Sequence, residues 1–162
     1  MSAAQKVLNQ LKRAHISYKL IHHPAVYTAS QADQFVQGEE FARTKNLFLT
    51  TDKHQHYYLL LLADNKRLDQ QRFRSVTHAP RVSFASLDDL QAKLGLTPGA
   101  VSPFGLLNNT EHDVILYVDQ TVVNASRIGC HPNDNTMTVI LKTNDLWKFL
   151  EKHGFPVHVI KL

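Results

Sequence analysis

Val7, Leu8 and Leu11 recur at helical spacing, with Lys6, Lys12 and Arg13 elsewhere on the surface, and predict an amphipathic opening helix that ends at His15 to Ser17. Tyr18-Lys19-Leu20-Ile21-His22 reads as a short strand stopped by Pro24. Ser30-Gln31-Ala32-Asp33, with a capping serine and a carboxylate three residues on, reads as the start of a second helix. The runs Asn46–Thr50 and Tyr57–Leu62 flank the polar connection Asp52-Lys53-His54-Gln55 and predict a hairpin whose second strand is buried on both faces.

Asp64 to Ser75 is polar and basic, a loop and short helix whose side chains form a solvated face, before Arg81–Phe84 supplies another strand. Ser86 to Leu94, with early acids and Gly95 after it, is a compact helix that delivers the chain into Thr97-Pro98-Gly99. Val114–Val118 and Thr136–Leu141 read as strands, Asn144-Asp145 caps a helix running through Lys152, and Pro156–Leu162 adds a terminal strand. Adjacent strands joined by short turns point away from a doubly wound parallel fold. The expected architecture is one α/β (α+β) domain over residues 1–162, a mixed, mostly antiparallel sheet surrounded by helices.

The 18 Lys and Arg against 14 Asp and Glu give a formal charge of +4, which favours anionic partners without the dense basic runs of general nucleic-acid binders. The single cysteine, Cys130, excludes an intrachain disulfide and a multi-cysteine zinc site. The amino terminus has no apolar signal core and the apolar run from Tyr57 to Ala63 is too short to span a bilayer, so the expected location is the cytoplasm, with no membrane role. There is no phosphate-binding GxxxxGK[ST], no HExxH and no GxSxG.

Three segments remain as carriers of chemistry. Lys45 stands before an apolar strand between Arg43 and Asn46, where a cation and amide donors suit phosphate or ribose oxygens, although most lysines are simply solvated. Gly99-Ala100-Val101-Ser102-Pro103 follows a helix and precedes Gly105, so its backbone amides could face an oxyanion; the same spacing also makes an ordinary turn. Gly129-Cys130-His131-Pro132 combines a permissive turn with a histidine restricted by the following proline. His131 could donate to a carbonyl, hold a ribose hydroxyl or transfer a proton, and Cys130 reads as a small buried hydrophobe.

The pairs His22-His23 and His54-x-His56 lack a third ligand and read as surface residues, so no metal is expected. Among the aromatics, Phe104 directly follows the candidate loop and is expected to stack on a base, while Trp147 and Phe149 read as core.

In order along the chain, Lys45–Leu49, Pro98–Leu106 and Gly129–Thr136 resemble the YbaK/prolyl-tRNA synthetase-associated editing family, and most closely its free-standing branch, PrdX or ProXp-ala. The resemblance implies a YbaK-like fold and a metal-free, cofactor-free aminoacyl-tRNA deacylase that hydrolyses alanine wrongly attached to proline tRNA. It implies Lys45 and His131 as catalytic residues, with Asn46, Gly99, Ala100, Val101, Ser102, Pro103, Phe104 and Gly129 binding substrate. Lys45 would lie near the terminal adenosine and its phosphate, the loop would hold the ester carbonyl, and His131 would position the ribose whose hydroxyl helps activate water. The implied partners are the acceptor end of mischarged proline tRNA and prolyl-tRNA synthetase, with no DNA. A Met137 facing the pocket would narrow it in favour of a small amino acid. Two alternatives stay open: a deacylase for tRNA carrying cysteine or serine, and a non-catalytic tRNA- or synthetase-binding module.

Overall fold

A computed structural model describes residues 1–51 and 53–162; Asp52, assigned above to the hairpin connection, lies outside the described residues. The chain runs α1 (Ala3–Arg13), β1 (Tyr18–His22), α2 (Ala29–Asp33), β2 (Thr44–Thr51), β3 (Tyr57–Ala63), α3 (Gln70–Thr77), β4 (Val82–Phe84) and α4 (Leu87–Leu94). A 3-10 helix (Pro103–Asn108) follows, then β5 (Val114–Asp119), α5 (Gln120–Val123), β6 (Arg127–Cys130), β7 (Met137–Lys142), α6 (Thr143–Lys152) and β8 (Val157–Ile160).

The strands form two sheets where one was expected: a five-stranded sheet in the order β4-β2-β3-β5-β8 and a three-stranded sheet in the order β1-β7-β6. Pairing is antiparallel throughout the smaller sheet and in β4-β2-β3, and parallel at β3-β5 and β5-β8. The fold class is therefore mixed α/β and mostly antiparallel, as the pattern predicts. At the centre of the larger sheet β3 is buried on both faces: Tyr57, Leu59 and Leu61 enter one core cluster and Tyr58, Leu60 and Leu62 the other. The first cluster joins α1, α4, α6 and the smaller sheet, and the second is closed by Phe73 of α3.

Several boundaries moved for local reasons. Helix α2 is capped by Thr28 rather than Ser30, because Thr28 Oγ1 accepts the Gln31 N–H at 3.1 Å while Gln31 Oε1 accepts the Tyr27 N–H at 2.9 Å, a reciprocal capping arrangement that Ser30 lacks. Helix α6 starts directly from β7 at Thr143 with no side-chain cap, so Asn144 sits inside its first turn. Strand β6 was not expected, since Arg-Ile-Gly-Cys is short and carries a glycine; its partner β7 supplies the pairing.

Besides the shared core, a backbone bridge links the start of the larger sheet's β2 to the smaller sheet, and it positions the site. Ala42 forms a parallel bridge with Ile128, its N–H donating to the Arg127 carbonyl at 2.7 Å and its carbonyl accepting the Gly129 N–H at 3.4 Å. The start of β2 is thereby laid against the end of β6.

Candidate active site

At that junction a cavity of about 240 Å³ is lined by Lys45 and Asn46 of β2, Gly99 and Val101 of the loop after α4, and Gly129, Cys130 and His131 at the end of β6. Three segments separated in sequence thus share one space.

Lys45 lies within β2, opposite Leu62 of β3, and not ahead of the strand as expected. Among the described residues it has no carboxylate partner, whereas Arg43 donates to Asp33 at 2.5 Å and lies 4.4 Å from the centre of the Phe41 ring. Asn46 Nδ2 donates to the Val101 carbonyl at 2.9 Å, which ties the hairpin to the loop and orients both.

The loop turns through Thr97-Pro98-Gly99-Ala100, with the Ala100 N–H on the Thr97 carbonyl at 3.2 Å and Gly99 at φ +87°. Proline then glycine at these positions is the type II signature, and φ there excludes other residues at low cost. The site for a Cβ is also taken, 2.8 Å from Cδ1 of Tyr27. Ser102 is fully buried and its Oγ accepts the Phe104 N–H at 3.1 Å, opening the 3-10 helix at Pro103. The amides of Ala100 and Phe104 are therefore occupied within the loop.

One expected contact needs correction, the stacking of Phe104 on a base; the side chains of Ala100, Ser102 and Pro103 also stay out of the cavity lining, which leaves that loop its backbone to offer. Phe104 is 0% exposed and packs edge to face on Phe149, with ring centres 6.1 Å apart, so it has no face to offer a base. The apolar ring is drawn into the core, where full burial of a phenylalanine contributes about 1.5–3 kcal/mol.

Gly129 is a strand residue rather than a turn; a Cβ there would stand 2.5 Å from the Phe41 ring, so glycine is needed for close approach and not for φ. Cys130 is buried and its thiol is pushed up to about 12 by burial, which leaves it protonated at neutral pH. His131 Nδ1 donates to the Met137 carbonyl at 2.7 Å, since that oxygen can only accept. Burial holds its pKa below the ordinary 6.5, with the Met137 hydrogen bond opposing and neighbouring His23 reinforcing the shift. The neutral ring therefore presents Nε2 as an acceptor.

Met137 does not line the cavity; the alternation of β7 brings in Thr138 instead, and Met137 contributes its carbonyl. Of the histidine pairs, His22, His54 and His56 are exposed, but His23 is buried, stacked on Phe35 and 5.9 Å from the His131 ring. Sequence reasoning missed Thr138, Tyr27 and Phe41 in the lining and His23 behind it, against Thr138 and His131; the available signal was the alternation of β7. Among the described residues no group of three His, Cys, Asp or Glu could hold a metal ion, and no helix is long and apolar enough to cross a membrane.

The family model for an aminoacyl-tRNA editing domain matches residues 23–149. The chain is 36% identical to the prolyl-tRNA editing protein ProX of Acetoanaerobium sticklandii, over 100% of this chain and 99% of that protein. It is 31% identical to prolyl-tRNA synthetase associated domain-containing protein 1 of Danio rerio, over 88% of this chain and 78% of the relative. Its fold is similar to that of a crystal structure described as a candidate trans-editing enzyme for prolyl tRNA synthetase, with a TM-score of 0.73 and 22% identity over 100% of this chain and 98% of that one.

Proposed function

The chain belongs to the aminoacyl-tRNA editing domain family, and from that premise we propose that this aminoacyl-tRNA deacylase removes alanine esterified in error to proline tRNA. The reading takes residues 1–162 as one editing domain working in trans in the cytoplasm, alongside prolyl-tRNA synthetase. The observation that carries it is the convergence of Lys45, the Gly99–Val101 loop and Gly129–His131 on one cavity.

In this reading Lys45, with no carboxylate partner among the described residues, attracts the terminal phosphate, and the loop amides left over from the turn stabilise the oxyanion of the ester carbon. His131 accepts a ribose hydroxyl at Nε2, which fixes the sugar relative to the ester. Water attacks the ester carbon and the bond to the ribose oxygen breaks. The water proton passes through the neighbouring ribose hydroxyl to the departing oxygen, giving free alanine and an intact terminal diol. The protonated state of Cys130 supports water as the nucleophile. Val26, Val36 and Cys130 give the cavity an apolar portion suited to a methyl group.

The test is deacylation of a panel of tRNAs charged with alanine, proline, serine or cysteine, without added metal. Release of alanine from Ala-tRNA(Pro) with Pro-tRNA(Pro) spared is expected. Turnover only of seryl or cysteinyl tRNA would reassign the substrate, and tRNA binding without any turnover would make the chain a binding module.

A further inference from the structure

His23 makes two hydrogen bonds whose directions can be worked out one from the other. Its Nδ1 lies 2.9 Å from the Pro24 carbonyl, which only accepts, so Nδ1 carries a proton. Its Nε2 lies 2.9 Å from Thr138 Oγ1. In the tautomer with its one proton on Nδ1, Nε2 has a lone pair and accepts from the Thr138 hydroxyl. The hydroxyl proton is then committed to His23, and what Oγ1 of Thr138, a lining residue, has left for a ligand is its lone pairs.

Thr138 is also the deepest hydroxyl of the site. It is 6% exposed, while the other three lining hydroxyls belong to Tyr27 and Thr28, which are exposed, and Thr44, which is half-buried. The one carboxylate of the lining, Asp33, is held by Arg43. An alanyl ester entering this cavity carries an ammonium on the same carbon as its methyl group, so an acceptor for the ammonium must lie near the apolar end, where Lys45 is no help.

We propose that Thr138, fixed as an acceptor by the positioning residue His23, binds the α-ammonium of the aminoacyl group. The inference rests on the deacylase reading above and adds a specificity contact to it. A substrate without the amine loses this contact while keeping the ester, the ribose and the phosphate.

The experiment compares alanyl-tRNA(Pro) with propionyl-tRNA(Pro), in which hydrogen replaces the amine, for wild type, Thr138→Val, Thr138→Ser and His23→Phe. Thr138→Val is expected to lower kcat/KM on the alanyl substrate about 10- to 100-fold, the size of a hydrogen bond to a charged group, and to leave the propionyl substrate within about twofold. Thr138→Ser should restore most of the loss. His23→Phe, which keeps a ring against Phe35, should lower alanyl turnover less and again spare propionyl turnover. In wild type, the nitrogen-15 spectrum of His23 should show a proton on Nδ1 and a lone pair on Nε2; a proton on Nε2 would make Thr138 the acceptor of that bond and overturn the proposal. Equal losses on both substrates would place Thr138 on the ribose or in the framework, and no loss would remove it from the site; either overturns the proposal. Wild-type protein that hydrolyses neither ester would instead overturn the deacylase reading.

Discussion

Two lysines on the larger sheet make opposite use of their charge. Lys66, just beyond β3, donates to Asp119 at 2.7 Å and to the Leu162 carbonyl at 3.1 Å. Asp119 is 1% exposed and also accepts from Thr121 at 2.8 Å and from the Leu162 N–H at 3.1 Å, so this cluster clamps the last residue of the chain to β5. Lys45, in β2 next to the same β3, borders the cavity with no carboxylate partner among the described residues. A charge whose hydrogen bonds the fold completes serves the fold. One left open beside a cavity is available to an anion.

Lys45→Ala should give the largest effect: a loss of at least about 100-fold in kcat/KM on the alanyl ester, with the melting temperature unchanged within about two degrees. Steady-state deacylation and a thermal melt read the two parts. Intact turnover would end the contrast.

Asp119→Ala should do the reverse. It leaves the Leu162 N–H without its acceptor and the Lys66 ammonium without its carboxylate, at a cost of about 2–3 kcal/mol, which lowers the melting temperature by about 5–10 °C. Below that melt, kcat/KM should stay within about twofold; a collapse of activity in folded protein would show that the clamp serves the site.

Acid should separate the regions more gently. His131 is held below its ordinary 6.5 mainly by burial. For Asp119, desolvation pushes the pKa up, but the hydrogen bonds from Lys66, Thr121 and the Leu162 N–H outweigh it and hold the group below 3.8. Both are depressed in the folded state, so each contributes stability that is full above the ordinary value and is lost as pH falls toward the folded one. Amide protection in β6 and β7 should therefore weaken below about 6.5, and that in β5 and β8 only below about 3.8. Protection lost first around Asp119 would contradict this order.

The local readings that held were those driven by short-range physics. Ser86 caps α4 with its Oγ on the Asp89 N–H at 3.1 Å, and Gly95 ends it at φ +65°. The β2–β3 hairpin and the two-faced burial of β3 were legible from an apolar run bounded by polar residues. The three site segments were legible as residue types and spacing. The facing of their side chains was not, because it depends on partners distant in the chain.

By itself, then, the sequence determined the Ser86-capped helix α4, the hairpin, and the presence of a cation, a glycine turn and a restrained imidazole at set positions. Only the tertiary structure decided that Phe104 goes to the core while His23 goes to the site, that Thr138 and not Met137 faces the cavity, and that Gly129 serves a close contact with Phe41. The reason is that helix caps and turns are settled by hydrogen bonds over three or four residues. Cavity walls here are settled by the docking of β2 against β6, through a bridge between Ala42 and Ile128 that no local pattern specifies.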